Sequence, residues 1–151
     1  MADRRPTAKQ RARRAQYRFV ADHAIDACRL QHRRITSGEA AARHDLDFYA
    51  VALWRLYEIA RMVANRCGEE RARVASEDFT TELPHLRELR DWWTHPPDPG
   101  QLLDGWVSWF DHAVVRLGRG VEYVLDAERG QPAAERLYGE LCSVLGDLPD
   151  P

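Results

Sequence analysis

Arg90 and His95, in the stretch Arg90-Asp91-Trp92-Trp93-Thr94-His95, are the residues whose types and spacing suit chemistry. A histidine titrating near neutrality can take a proton from a ribose 2′-hydroxyl or give one to a departing 5′-oxygen. A guanidinium is permanently charged and forked, and so suits the phosphoryl oxygens on which negative charge builds during in-line attack. Together they form a minimal set for cleaving RNA without a metal. Asp91 could orient His95 or pair with an arginine. A structural role fits the same residues: Arg90 pairing with Glu88, Asp91 or a carboxylate on another helix, and His95 placing positive charge at a helix C-terminus. On an ideal helix five residues set two side chains about 140° apart, so the pair shares no face unless the helix ends. Pro96 supplies that end. The residue before a proline is disfavoured in the α region, so His95 is expected at or beyond the last turn, free to swing toward Arg90.

The elements that must carry this pair are helical. From Pro6 to about Arg34 strong helix formers dominate, and Phe19, Val20, His23, Ala24, Ala27 and Leu30 recur at helical spacing. Ile35 to Glu39 breaks the pattern, with Thr36 and Glu39 at capping-box spacing for a second helix. Its stripe Leu46, Tyr49, Leu53, Leu56, Ala60, Val63 steps by threes and fours and predicts a core-facing side, closed at Gly68. Glu69 to Asp78 reads as a short helix or a loop. A third helix is expected from Thr80 or Thr81, burying Leu83, Leu86, Leu89 and Trp93. After the proline-rich loop 96–100 the period changes: Val114 to Leu117 and Val121 to Leu125 flank Gly118-Arg119-Gly120 and predict a β-hairpin near residues 106–125. Trp106 and Trp109 are expected in the core. A last helix is expected from Pro132 through Leu137, Leu141 and Leu145 to Gly146. The fold class expected is mainly α: an up-down bundle of about four helices with a β-hairpin.

A chain of 151 residues, 44% hydrophobic and 30% charged, fits one domain spanning 1–151, with residues 1–15 a basic helix end or arm. No apolar run reaches the 18 or so residues that cross a bilayer, and the basic N-terminus has no apolar segment of the secretory kind. Cys28, Cys67 and Cys142 are odd in number and far apart, so a reduced, cytoplasmic setting without membrane is expected. Lys9 is the single lysine among 22 basic residues, a habit of GC-rich bacterial coding. Residues 1–35 carry roughly +7 although the whole chain carries −2. Arg11, Arg14 and Arg18 are therefore candidate phosphate-binding residues, with a solvated helix end as the structural alternative.

The helix bearing "FYAVALWRLYEIARMV" followed by "LRELRDWWTH" resembles the HEPN domain family, whose Arg-x4-His motif sits near the end of the third core helix. The resemblance runs over roughly residues 15–145 in helix order, and Arg90 to His95 is the part that is motif-grade. It implies a helical bundle acting as a metal-independent endoribonuclease of the toxin or defence type, without cofactor. It also implies a homodimer that brings two motifs to one cleft, and a neutralising protein partner is of a piece with a toxin. Trp92 would stack a base or form part of the dimer contact. The chain departs from many relatives in placing Pro96 and Pro97 where a tyrosine follows the histidine, and Thr94 where small or acidic residues are common.

Other chemistry has less support. The six histidines include no His-x3-His and there is no Cys-x2-Cys, so no metal site is expected, although His44-Asp45 and Asp111-His112 are neighbours that folding could join. No Gly-rich phosphate loop, serine elbow or CxxC pair occurs. A second reading of the whole is a non-catalytic dimeric helical module that holds nucleic acid or a protein partner through the arginine-rich first helix.

Overall fold

The computed structural model describes residues 6–37, 42–94, 107–111, 114–118 and 122–146. Five helices and three strands occur among them: α1 (Ala8–Thr36), α2 (Ala42–Cys67), α3 (Glu70–Glu82), α4 (Leu86–Thr94), β1 (Val107–Asp111), β2 (Val114–Gly118), β3 (Glu122–Asp126) and α5 (Ala127–Leu145). The protein is mainly helical.

Ion pairs fix the direction of each helix. Arg34 at the end of α1 meets Asp45 at the start of α2, while Arg14 at the other end of α1 meets Glu69 just past α2, so the two run antiparallel. Arg29 reaches Glu135 early in α5 and Arg14 reaches the Val144 carbonyl late in it, so α5 is also antiparallel to α1. Between α3 and α5, Arg71 pairs with Glu140 and Glu82 with Arg136, again head to tail. The result is an up-down bundle of α1, α2, α3 and α5, with α4 and the sheet inserted before its last helix.

The expected stripe of α2 forms the centre: Leu46, Tyr49, Leu53, Leu56, Ala60 and Val63 are all buried, against Ile25 and Cys28 of α1, Phe79 of α3, Leu86 and Leu89 of α4, and Leu137 and Leu141 of α5. Apolar side chains at i, i+3 and i+4 leave water together in this way, each full burial contributing about 1.5–3 kcal/mol before entropy is counted. Gly68 closes α2 at φ +70°, a conformation disfavoured for any residue with a Cβ. Tyr49 crosses from α2 to α5, its hydroxyl within reach of the Ala127 carbonyl and Gln131 Oε1.

Several boundaries differ from expectation, each for a physical reason. Thr36 is the last residue of α1 and donates back to the His32 carbonyl, so it does not cap α2. The buried face of α1 is Ala21, Ala24, Ile25, Cys28 and Ile35, while Phe19 and Leu30 are 55% and 44% exposed; small residues let α1 lie close to α2 and push the larger ones outward. The open segment after Gly68 is a full helix, α3. The expected third helix is split at Leu83-Pro84-His85, because Pro84 forces Leu83 out of the α region, to φ −123° and ψ 63°. Arg90 therefore sits on the short α4 and not at the end of a long third helix. The last helix begins at Ala127, five residues before Pro132, because the Asp126 carboxylate accepts the Glu128 and Arg129 amides and nucleates it. Pro132 is then inside the helix and leaves the Glu128 carbonyl without its usual amide.

The expected hairpin is the β2–β3 pairing, with Gly118 opposite Glu122, and β1 adds a third antiparallel strand to give the order β1-β2-β3. His85 joins the sheet to the bundle: its Nδ1 accepts the Val124 amide at 3.2 Å, and its ring meets Tyr123 edge-on. The side chains of Trp106 and Trp109 lie outside the described residues. No described helix is long and apolar enough to cross a membrane.

Candidate functional site

The site is built where α4 lies on α2. Leu86 and Leu89 anchor one side of α4 in the core, which turns Arg90 onto the flank of α2. There its guanidinium rests over the Trp54 indole, Cζ to ring centroid 4.6 Å. A cation over an aromatic face is attracted to the ring's negative quadrupole, and the flat fork gains contact area as well. Arg90 Nη1 also forms an ion pair with Asp91, 2.8 Å from Oδ1, and Asp91 Oδ2 is 3.8 Å from Arg87 Nε. The Arg90 side chain is 22% exposed, and its Nε is buried with no hydrogen-bond partner. Trp54 Nε1 is buried and unpartnered in the same way.

Trp54 opens an aromatic row on α2. Its ring centroid is 4.9 Å from that of Tyr57, Tyr57 stacks nearly parallel to Phe79 at 6.4 Å, and Arg61 covers the Tyr57 ring at 5.7 Å. Trp54, Tyr57 and Arg61 were not among the candidates read from the sequence. Spacing held the signal: Trp54 and Tyr57 flank the buried stripe by one residue each, at the border between core and surface where amphipathic aromatics gather.

Helix α4 ends at Thr94, whose hydroxyl bonds back to the Arg90 carbonyl at 3.0 Å. His95, the expected proton-transfer residue, lies outside the described residues, as does the Trp92 side chain. Of the six-residue motif, Arg90, Asp91 and Thr94 are thus placed, and Arg90 and Asp91 are brought together.

The candidate phosphate-binding arginines of α1 have contacts within the chain. Arg14 donates to the Val144 carbonyl at 2.8 Å and pairs with Glu69. Arg18 is paired with Asp22 at 2.8 Å, reaches the Gly146 carbonyl at 3.0 Å and lies over the Tyr138 ring. The carboxylate of Asp22 is the main reason the Arg18 guanidinium holds its proton even more firmly than usual. Both arginines satisfy carbonyls at the end of α5 that have no amide partner within the helix, where positive charge is favoured. The Arg11 side chain is exposed and, among the described residues, bonds only the carbonyl of Pro6, just before the N-cap of α1. Among the described residues no three His, Cys, Asp or Glu side chains come together as a metal site, and Asp45, next to His44, is taken by Arg34.

No family model, curated protein or solved structure matches this chain.

Proposed function

We propose that this protein is a HEPN-like, metal-independent endoribonuclease of the toxin or defence type, working as a homodimer and open to inhibition by a protein partner. The observation that carries the reading is the Arg90–Trp54 stack. A guanidinium held over an indole, one turn before the end of α4, is suited to be a phosphate ligand fixed in advance, and His95 follows Thr94 in the sequence. In the reaction the 2′-oxygen bonds to phosphorus and the bond from phosphorus to the 5′-oxygen breaks. The proton moves from the first oxygen to the second, leaving a 2′,3′-cyclic phosphate and a 5′-hydroxyl. His95 moves the proton at one of these oxygens, Arg90 holds the phosphoryl oxygens, and Asp91 keeps the fork in position.

Arg90→Ala and His95→Ala proteins, beside the parent, are incubated with RNA in EDTA. Cyclic-phosphate ends from the parent, lost in either variant, support the nuclease. Salt-sensitive RNA binding without products sinks it and supports the second reading, the dimeric binding module. One observation favours that second reading: the Arg90–Asp91 pair already satisfies part of the guanidinium without any ligand.

A further inference from the structure

The outer side of α2 carries a pattern with little use for contacts among the described residues. Phe48, Val51, Arg55, Glu58 and Met62 follow at steps of three, four, three and four, so they fall in one stripe about 80° wide, away from the buried one. Phe48 is 62% exposed and Met62 36%. Several other close charges on the surface pair within the chain: Arg73 with Glu70 and Glu77, Arg71 with Glu140, Arg136 with Glu82. Arg55 and Glu58 are exposed, are three residues apart on one helix, and pair neither with each other nor with another described residue.

We propose that this stripe is the contact by which two copies of the chain form a twofold dimer, α2 lying antiparallel on α2. With the axis between Arg55 and Glu58, Arg55 meets the partner's Glu58 and Glu58 the partner's Arg55. Val51 meets the partner's Met62, and Phe48 the partner's Asn65. A twofold contact must be complementary to itself, each pair occurring twice, and this stripe has that property in its charges, with Val51 and Met62 as its apolar pair. A slip of three residues one way sets Arg55 against its own copy, and three the other way sets Glu58 against its own, so the charges also fix the register. A foreign partner would demand no such symmetry within the stripe. From Phe48 to Met62 the stripe is roughly 21 Å long. One helix pair of that length buries area at the small end of specific interfaces, so a dimer forming in the micromolar range is expected. Trp54 borders the stripe, which puts Arg90 at the rim of the contact. The inference rests on the dimeric half of the proposed function and is independent of cleavage.

Sedimentation equilibrium of the full chain over a micromolar range tests it, on the parent, Arg55→Glu, Glu58→Arg and the double exchange. Each single exchange sets two like charges together twice and is expected to raise the dimer Kd at least about tenfold; the double exchange restores the opposite pairing and the Kd. Helical circular dichroism should be the same in all four, and so should melting at concentrations well below the dimer Kd, since both side chains are exposed. A parent that stays monomeric, whatever else binds this face, overturns the proposal. So do single exchanges that leave the dimer intact, or a double exchange that fails to recover it. The same samples are given RNA: a dimer that follows this pattern but cleaves nothing upholds the interface while removing the nuclease.

Discussion

The guanidinium of Arg90 lies 4.6 Å from the centroid of the Trp54 ring, so the arginine singled out for phosphate chemistry is fixed by a residue 36 positions earlier, on another helix. Trp54 Nε1 and Arg90 Nε are both buried without a hydrogen-bond partner, while Arg90 Nη1 pairs with Asp91 and the Trp54 ring meets Tyr57. The stack joins α4 to the flank of α2, beside the anchors Leu86 and Leu89.

Removing the ring should be felt at Arg90. Trp54→Ala is expected to destabilise by about 2–3 kcal/mol, below the cost for a fully buried tryptophan because this one is partly exposed. Trp54→Phe keeps a face for the cation and should cost less than about 1.5 kcal/mol. Urea unfolding of both, crossed with Arg90→Ala, should give a coupling of about 0.5–1 kcal/mol. Strict additivity would mean that the stack does not hold the arginine.

Arg14 and Arg18 should behave as structural residues. Each donates to a carbonyl at the end of α5 and joins it to α1, so Arg14→Ala and Arg18→Ala are each expected to cost about 1–2 kcal/mol. Arg11→Ala loses one exposed bond to Pro6 and should shift stability by less than about 0.5 kcal/mol. Thermal melts, run with RNA titrations at two salt concentrations, separate the roles. If Arg14→Ala weakens RNA binding while leaving the melt untouched, its staple to α5 is not what matters.

What could be read from the chain alone divides along physical lines. The α2 stripe and the ends at Gly68 and Gly146 were legible, because periodicity and left-handed glycines are local signals. The β2–β3 pairing was legible from its glycine turn. The buried face of α1 was not legible, since alanines pack there and Phe19, the larger residue, does not; which helix neighbours which is not written in one helix's own period. Pro84 was available as a breaker and outweighs the leucine stripe that runs through it. Asp126 was overlooked as a cap because Pro132 looked like a first-turn proline. For the site, Arg90 and Asp91 could be named from spacing, but Trp54 could not be tied to them, because the contact depends on how α4 crosses α2.

Two glycines on α5 should respond in opposite directions to the same substitution. A Cβ on Gly130 would come within 3.0 Å of the Tyr49 hydroxyl oxygen, 3.2 Å of its ring and 3.4 Å of Leu53 Cδ1, so the buried Tyr49 and Leu53 side chains must give way. Gly130→Ala should destabilise by about 1–3 kcal/mol despite its better helix propensity. At Gly139 a Cβ meets nothing within 4 Å, and Gly139→Ala should stabilise by about 0.5–1 kcal/mol. Denaturant midpoints decide both, and a stabilised Gly130→Ala would show that the α2–α5 contact is looser than the Tyr49 geometry requires.

The Arg29–Glu135 pair makes stability depend on acid in a definite direction. Arg29 Nε and Nη2 donate to the two carboxylate oxygens at 2.8 Å each, and Gln131 adds a third hydrogen bond. The Arg29 fork is the main reason Glu135 is held below its ordinary value of 4.5. A group whose folded pKa is depressed binds protons more readily unfolded, so its contribution is complete above the unfolded value and fades as pH falls through the folded one. Both side chains are about two-fifths exposed, so solvent screening limits the pair to on the order of 0.5 kcal/mol. Glu135→Gln should therefore be less stable than the parent by that constant amount above about pH 5, and the gap should close as the pH drops below 4.5. Urea midpoints from neutral pH down to pH 3 measure it. A gap that widens on acidification would mean that the folded Glu135 binds its proton more readily than the unfolded one, so that the Arg29 fork does not hold it ionised.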